Sequence, residues 1–221
     1  HELKSPIHVI RGYTELLEDE LADGMTEAQE GIIEAIVEQT DAMTRLASRL
    51  LDIGRLEAGV YRMELETVHV HDLLSALIRS FDVLARERGI RLRPVVEESA
   101  PATIHVDPDM IRSEVLGNLV SNALRFTPSG GEVRVRVWQE SDEVVFEVSD
   151  TGPGIPREQQ PFIFEKYYEG GRTRSVGAGL GLAVAKEVVE AHGGRIKLDP
   201  DVAEGATFRF HLPATGPAGE G

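Results

Sequence analysis

The first sixty residues carry apolar side chains at helical spacing. Leu3, Ile10 and Leu17 repeat every seven residues, as on one face of an amphipathic helix. After a short glycine-containing break, a second run over about residues 26–57 fills the a and d positions of successive heptads, with Gln39 as their one polar residue. The apolar heptad residues are Ile32, Ile36, Met43, Leu46, Leu50 and Ile53. The pattern predicts two helices joined as a hairpin.

A hairpin of this kind leaves an apolar seam uncovered. Pairing with a second copy to form a dimeric four-helix bundle is the usual way to bury such a seam. The heptads therefore predict a homodimer. The alternative is a hairpin whose seam packs against the domain that follows it.

The heptads end near residue 59, and short strands, helices and glycine-rich loops follow. Alternation of Val133, Val135 and Val137 with polar residues indicates a strand with one buried face. Helices are predicted at 71–88, 109–126 and 180–192, and strands at 90–96, 132–138, 143–149, 194–198 and 206–212. We expect a helical hairpin at 1–59, an α+β two-layer sandwich at 60–215, and a disordered tail at 216–221.

Composition narrows the possible partners and chemistry. A formal net charge of −15 argues against nucleic acid or an anionic membrane surface as the main partner. The absence of cysteine excludes disulfides, zinc-thiolate sites and thiol nucleophiles, and it fits a cytoplasmic location. No apolar run is long enough to span a bilayer, so we expect any membrane anchor to lie upstream, in a longer protein from which this chain is cut.

The helix predicted at 109–126 carries the first candidate site. Asp107 and Pro108 form an N-cap followed by proline at the first helical position. A polar stripe then runs along one face and comprises Glu114, Asn118, Asn122 and Arg125. Neutral amide oxygens suit Mg²⁺ shared with substrate phosphates, although a solvated helix face would explain the stripe equally well.

Two glycine-rich segments follow. Asp150, Gly152 and Gly154 come directly after a predicted strand, where a carboxylate can accept a hydrogen bond from a purine amino group; a simple strand-ending turn is the alternative. Residues 176–181 lead into an apolar helix, and such loops bind phosphate through free N–H groups. A dinucleotide site is disfavoured because no βαβ unit surrounds this loop.

The order and spacing of these pieces resemble one known family. Five motifs resemble, in order, the H, N, G1, F and G2 boxes of histidine kinases: His1-Glu2-Leu3-Lys4-Ser5-Pro6, Asn118-Leu-x-x-Asn122-Ala, Asp150-x-Gly152-x-Gly154, Phe164-Glu-Lys-Tyr-Tyr and Gly177-x-Gly179-x-Gly181. The resemblance extends from residue 1 to about 213. It implies a dimeric phosphoacceptor hairpin followed by an ATP-binding domain of the Bergerat type.

The resemblance also implies roles for single residues. Asn122 would hold Mg²⁺ with help from Asn118, Asp150 would read the adenine amino group, and Thr207 would support the adenine site. The mobile lid over ATP and its hinges would be formed by glycines of the two loops: Gly152, Gly154, Gly177, Gly179 and Gly181. Two cations would face the ATP phosphates: Arg125 and Lys166.

His1 is the candidate nucleophile because neutral imidazole is competent at neutral pH, and Glu2 would accept its proton or orient its ring. Ser5 lies where many relatives have threonine or asparagine, the residue that the resemblance implies positions water for dephosphorylation of a response regulator. Serine keeps the hydroxyl, so phosphatase activity toward a response regulator is a second activity to consider. His8, two turns along the same helix, is the alternative acceptor.

Three functions remain at this point. The first is an ATP-dependent protein-histidine kinase that transfers its phosphoryl group to an aspartate of a response regulator. The second is a dimeric interaction module with a degenerate ATP domain, which the intact Asn118, Asn122 and Asp150 disfavour. The third is an ATPase related to gyrase or the large heat-shock chaperones, which is disfavoured because Asn118 stands where the family's ATPases have a glutamate base.

Overall fold

The computed structural model describes most of the chain after residue 62 and isolated positions before it. The described residues are 10, 12, 14, 26, 29, 31–33, 36–37, 40, 43, 63–166, 168, 180–200 and 204–216. The chain divides into two compact units, His1–Tyr61 and Arg62–Gly221. None of the helices within the described residues is both long and apolar enough to cross a membrane.

The first unit is helical at all its described positions except Thr26, and two faces of its second helix differ in exposure. This helix starts with a capping box, in which the Thr26 and Gln29 side chains accept hydrogen bonds from each other's backbone N–H. Ile33 and Thr40, seven residues apart, are buried. The predicted heptad residues are instead exposed in the single chain, at 59% for Ile32, 39% for Ile36 and 54% for Met43. Among the described residues of this helix, one face is therefore buried, and the predicted heptad face is exposed.

The second unit begins with a two-stranded sheet that the sequence pattern did not predict. Strand β1, Glu66–His69, pairs antiparallel with β3, Thr103–Val106. Between them lie helix α1, Val70–Glu87, and strand β2, Arg91–Val96, close to their predicted bounds.

A five-stranded sheet forms the centre of this unit. Its remaining strands are β4, Glu132–Glu140, β5, Glu143–Asp150, β6, Arg195–Leu198, and β7, Thr207–Pro213. The strand order is β2-β4-β5-β7-β6, with β2 and β4 parallel and the other pairs antiparallel. A two-residue turn joins β4 to β5, so the predicted antiparallel hairpin is confirmed.

One face of this sheet carries the hydrophobic core. Val133, Val135 and Val137 are fully buried on it, and the rings of Phe146 and Phe210 stack at a centroid distance of 4.8 Å. The apolar faces of the helices cover this side. The predicted α+β two-layer sandwich is therefore confirmed.

The segment predicted as one α-helix over 109–126 is a π-helix, Met110–Gly117, followed by helix α2, Asn118–Phe126. Asp107 caps it as expected, because its Oδ1 accepts the N–H of Met110 at 3.0 Å. The buried pairs along the segment are 110/111, 115/116, 119/120 and 123/124. The first two pairs are five residues apart, and the later pairs are four apart. Because a turn of the π-helix holds more residues than a turn of an α-helix, every apolar pair still lies on the core side. The predicted α-helical register is wrong before residue 118.

The last helix, α3, covers Gly181–Ala191, within one residue of its predicted bounds. After β7 the chain remains ordered slightly longer than predicted. Gly216 was expected to begin a disordered tail, yet it is buried against His105, with a positive φ of 80°. Residues 217–221 lie outside the described residues.

Candidate functional site

Asp150 ends strand β5, and two backbone groups fix its carboxylate. Oδ1 accepts the N–H of Gly152 at 2.8 Å and the N–H of Ala206 at 3.3 Å. Burial raises the pKa of this carboxyl, and the two N–H donors oppose that shift because they favour the charged form. The side chain is thus held in one orientation at the end of the central strand of the sheet.

The predicted glycines next to Asp150 are required by crowding. A Cβ on Gly152 would lie 2.7 Å from Asp150 Oδ1 and 3.1 Å from the Phe126 carbonyl oxygen. Gly154 has a φ of +72°, and a Cβ there would lie 2.8 Å from the Gly205 carbonyl oxygen. Larger residues at these positions would therefore displace the loop from the carboxylate.

Gly205 belongs to the same cradle and was missed by the sequence reasoning. Its φ is +76°, and a Cβ there would overlap the backbone carbonyl of Asp150. Its contacts are with residues more than fifty positions earlier, so only the unexplained glycine just before a strand pointed to it. Ala206, which follows, supplies one of the two N–H donors to Asp150.

Thr207 lies elsewhere than the resemblance implied. It pairs with Ser149 across the β5–β7 ladder, one position away from Asp150. Because successive side chains in a strand point to opposite faces, Thr207 is on the other side of the sheet from the carboxylate. Support of Asp150 comes instead from the backbone of Ala206.

The polar stripe on α2 is graded in exposure. Asn118 is buried, at 6% exposure, and Asn122 is half-buried. Arg125 is exposed, and its guanidinium lies 5.2 Å from the ring centroid of Phe126. Leu116, Val120 and Ala123 are buried on the opposite side, as the pattern predicted.

The N-terminus of α3 meets α2 at Asn118. A Cβ on Gly181 would lie 3.1 Å from Asn118 Oδ1 and 3.2 Å from its Cγ. The third glycine of the 176–181 segment therefore lies against the first asparagine of the stripe. The start of a helix favours negative charge, as phosphate groups carry it.

The segment that contains Lys166 packs through aromatic rings. Phe164 contacts Phe208 edge to face at a centroid distance of 6.2 Å, and Phe162 lies 5.9 Å from Tyr168. Lys166 itself is half-buried.

Five predicted site residues lie outside the described residues, namely His1, Glu2, Ser5, Gly177 and Gly179, and so does the alternative acceptor His8.

A divalent cation fits this site only in company with a charged ligand. Within the described part of the chain, no group of three His, Cys, Asp or Glu residues could hold a metal ion. Asn118 and Asn122 offer neutral amide oxygens, which supply no charge to balance Mg²⁺. The donor set therefore suits a cation whose remaining ligands are phosphate oxygens.

Two family profiles match the chain. "His Kinase A (phospho-acceptor) domain" matches residues 1–59, and "Histidine kinase-, DNA gyrase B-, and HSP90-like ATPase" matches residues 107–216. Among curated relatives, the sensor protein DivL of Caulobacter vibrioides is 36% identical over 221 residues. The circadian input-output histidine kinase CikA of Synechococcus elongatus is 33% identical over 217 residues. These alignments cover 97% and 96% of this chain but only 27% and 29% of the relatives.

The chain is also similar to solved structures of histidine kinases. Full-length ShkA in complex with AMPPNP has a TM-score of 0.84 and 30% identity, over 99% of this chain and 45% of that one. The histidine kinase ThkA in complex with the response regulator protein TrrA has a TM-score of 0.66 and 25% identity, over 97% of this chain and 59% of that one.

Proposed function

We infer the function of this chain from its family, since it belongs to the histidine kinases and is a sensor histidine kinase catalytic core. We propose that it phosphorylates His1 with ATP and Mg²⁺ and passes the phosphoryl group to an aspartate of a response regulator. The chain spans less than a third of the two curated relatives described above, so any sensing part lies outside this proposal.

The observation that carries the proposal is the fixed carboxylate of Asp150. Oδ1 is held by two backbone N–H groups, and the described residues provide no hydrogen bond to Oδ2. Oδ2 can therefore accept from the amino group of adenine, which guanine lacks at that position. The complex of the related kinase ShkA with AMPPNP supports an adenine nucleotide as the ligand.

The phosphate end of the nucleotide would lie toward α2 and α3. Asn122 and Asn118 would hold Mg²⁺, which neutralises phosphate charge when bound. Arg125 and Lys166 would contact phosphate oxygens, and the glycines at 177, 179 and 181 would let backbone N–H groups approach them. The exposure of Arg125 and the position of Gly181 against Asn118 are consistent with this arrangement.

In the transfer step, an imidazole nitrogen of His1 would attack the γ-phosphorus. The bond from that phosphorus to the bridging oxygen of ADP breaks, ADP leaves, and Glu2 accepts the imidazole proton. Hydrolysis by water should be slow, because Asn118 cannot act as a base near neutral pH.

A dimer and a response regulator complete the proposal. The exposed apolar residues Ile32, Ile36 and Met43 would pack against a second copy in a four-helix bundle. The complex of the related kinase ThkA with TrrA supports a response regulator as the acceptor. Ser5 keeps a hydroxyl that could position water, so regulator dephosphorylation is an additional activity to test.

Incubation with γ-labelled ATP and Mg²⁺ tests the proposal, using the chain extended upstream so that His1 lies within a helix. Acid-labile, alkali-stable label that is abolished by both His1→Gln and Asn122→Ala is the expected result. Label that survives in His1→Gln would move the acceptor, with His8 tested next. Nucleotide binding without any label would instead favour a non-catalytic interaction module.

A further inference from the structure

The hydrogen bonds at the junction of the π-helix and α2 are unusual. In a regular α-helix the backbone N–H of Asn118 would bond to the carbonyl of Glu114, four residues earlier. Here that N–H bonds to the carbonyl of Val115, and the side-chain Nδ2 of Asn118 donates to the Glu114 carbonyl at 2.6 Å. The side chain of Asn118 thus makes the hydrogen bond to the Glu114 carbonyl that the backbone N–H would make in a regular α-helix.

This bond decides which way the amide points. Nδ2 is committed to the π-helix, so Oδ1 is on the other side, where the Cα of Gly181 begins helix α3. The residue is 6% exposed, and a Cβ on Gly181 would lie only 3.1 Å from Asn118 Oδ1. Little room remains for the amide to rotate.

The π-helix is also a defined feature of the sequence. Its buried pairs 110/111 and 115/116 are five residues apart, whereas every later pair is four apart. Gly117 lies where a Cβ would be 3.1 Å from the carbonyl oxygen of Arg112, so a side chain there would press on the wide turn. One extra residue in this turn therefore sets the geometry that Asn118 completes.

We propose that Asn118 is a positioning residue: its amide nitrogen bonds to the π-helix, and its oxygen is thereby held toward the start of α3, at the phosphate end of the site. This inference rests on the proposed function for the identity of the nucleotide. The role of Asn118 then depends on its side-chain NH₂ group as much as on its side-chain oxygen, whereas Asn122 can serve through its side-chain oxygen alone.

The chain itself offers a direct measurement, because Asn118 and Asn122 are its only two asparagines. Labelling with ¹⁵N-asparagine should give two pairs of side-chain NH₂ signals, assigned by their loss in Asn118→Asp and Asn122→Asp. In the nucleotide-free protein we expect the Asn118 pair to exchange with solvent at least about tenfold more slowly, since it is buried and bonded. Equal exchange rates for the two pairs would overturn the proposal.

Nucleotide binding by Asn118→Asp provides the second test. Aspartate keeps an oxygen and is a good Mg²⁺ ligand, but it cannot donate to the Glu114 carbonyl. Asn118→Asp should therefore weaken Mg²⁺-ADP binding about tenfold. Ser121→Asp is the control, because it adds the same charge at an exposed position of the same helix and should bind within about twofold of the parent protein. Parent-like affinity in Asn118→Asp would mean that only the oxygen matters and would contradict the positioning role.

Deletion of Ser113, an exposed residue of the π-helix, tests the wide turn without changing either asparagine. The deletion restores four-residue spacing of the buried pairs, and it should weaken Mg²⁺-ADP binding while the circular dichroism spectrum stays that of a folded domain. Unchanged binding in this variant would count against the π-helix as the positioning element.

None of these readouts needs phosphoryl transfer, so slow exchange at Asn118 without label on His1 would keep this inference and reject the kinase proposal.

Discussion

The side chain of His192 ties the end of α3 to the start of the π-helix. Its Nε2 accepts the backbone N–H of Asp107 at 3.0 Å, and its Nδ1 donates to the carbonyl of Val188 at 2.7 Å. The carboxylate of Asp107 in turn accepts the N–H groups of Met110 and Glu64, each at 3.0 Å. This fully buried histidine therefore joins the end of α3 to the cap of the π-helix that leads to Asn118.

This arrangement predicts that the second unit, residues 62–221, loses stability in mild acid. Burial lowers the pKa of His192 below its ordinary value of 6.5, so the folded domain binds fewer protons than the unfolded chain. The contribution is complete above about pH 6.5 and is lost as the pH falls from there toward the lower folded-state pKa. Urea unfolding at several pH values between 8 and 5 should show a falling free energy of unfolding.

The variant His192→Gln isolates this contribution. It removes the titrating ring and leaves one of two buried hydrogen bonds unmade, so the free energy of unfolding should fall by about 2 kcal/mol at pH 8. The pH dependence below 6.5 should also become shallower. His71→Gln is the control, because that side chain is 82% exposed and should change neither quantity. A parent-like slope in His192→Gln would show that another group causes the acid sensitivity.

A second prediction concerns space beside Asp150. Gly205→Ala should prevent stable folding or cost at least about 3 kcal/mol, because φ is +76° and the new methyl group would overlap the Asp150 carbonyl. Gly130→Ala is the matched control: its φ is +87°, but no atom lies within 4 Å of a Cβ there. That variant should cost only about 1–2 kcal/mol of backbone strain. Thermal unfolding of the two proteins separates these effects, and equal losses would contradict the crowding argument.

A third prediction concerns the base that the site reads. Asp150→Asn preserves shape, and its remaining oxygen can still accept the N–H groups of Gly152 and Ala206. The new NH₂ group would face the adenine amino group, so ADP affinity should fall at least tenfold, by about 1.4 kcal/mol or more. GDP, which presents a carbonyl oxygen at that position, should lose less affinity or gain some. Calorimetric titration with both nucleotides checks this, and an equal loss for ADP and GDP would argue against adenine reading by Asp150.

Periodicity in the sequence predicted the elements that bury one face over many residues. Helix α1 and strands β4 and β5 were found because the apolar spacing continues for eight residues or more. Strand β6 also has only four residues, but its polar and apolar residues alternate and it was predicted. Strand β1 was missed because none of its four residues is buried, so it shows no apolar face, and its partner β3 was missed with it. The π-helix was missed because the α-helix was predicted from its cap and from the polar stripe that begins at Glu114. The five-residue spacing of the buried residues Ile111 and Leu116, which was visible in the sequence, did not enter that prediction.

The candidate site was predictable where glycines and carboxylates form local motifs. Asp150, Gly152 and Gly154 lie within five residues of one another and are brought together by a single turn. Gly205 and Ala206 reach the same carboxylate only through the pairing of β5 with β7, which no local pattern encodes. The side of the sheet on which Thr207 lies follows from that same register.

The last prediction concerns the exposed seam of the hairpin. Ile32 is 59% exposed in the single chain, while its neighbour Ile33 is 7% exposed, so the two side chains belong to different interfaces. A glutamate at position 32 would place a carboxylate without a partner in the dimer contact. Ile32→Glu should therefore weaken self-association about a hundredfold or more, by roughly 3 kcal/mol. The second unit, residues 62–221, should stay folded in this variant. Light scattering over a range of protein concentrations measures the association, and Ile32→Leu should retain it because an apolar side chain of similar volume can repack. A dimer that persists in Ile32→Glu would favour the other use of this face, in which the seam packs against a part of its own chain.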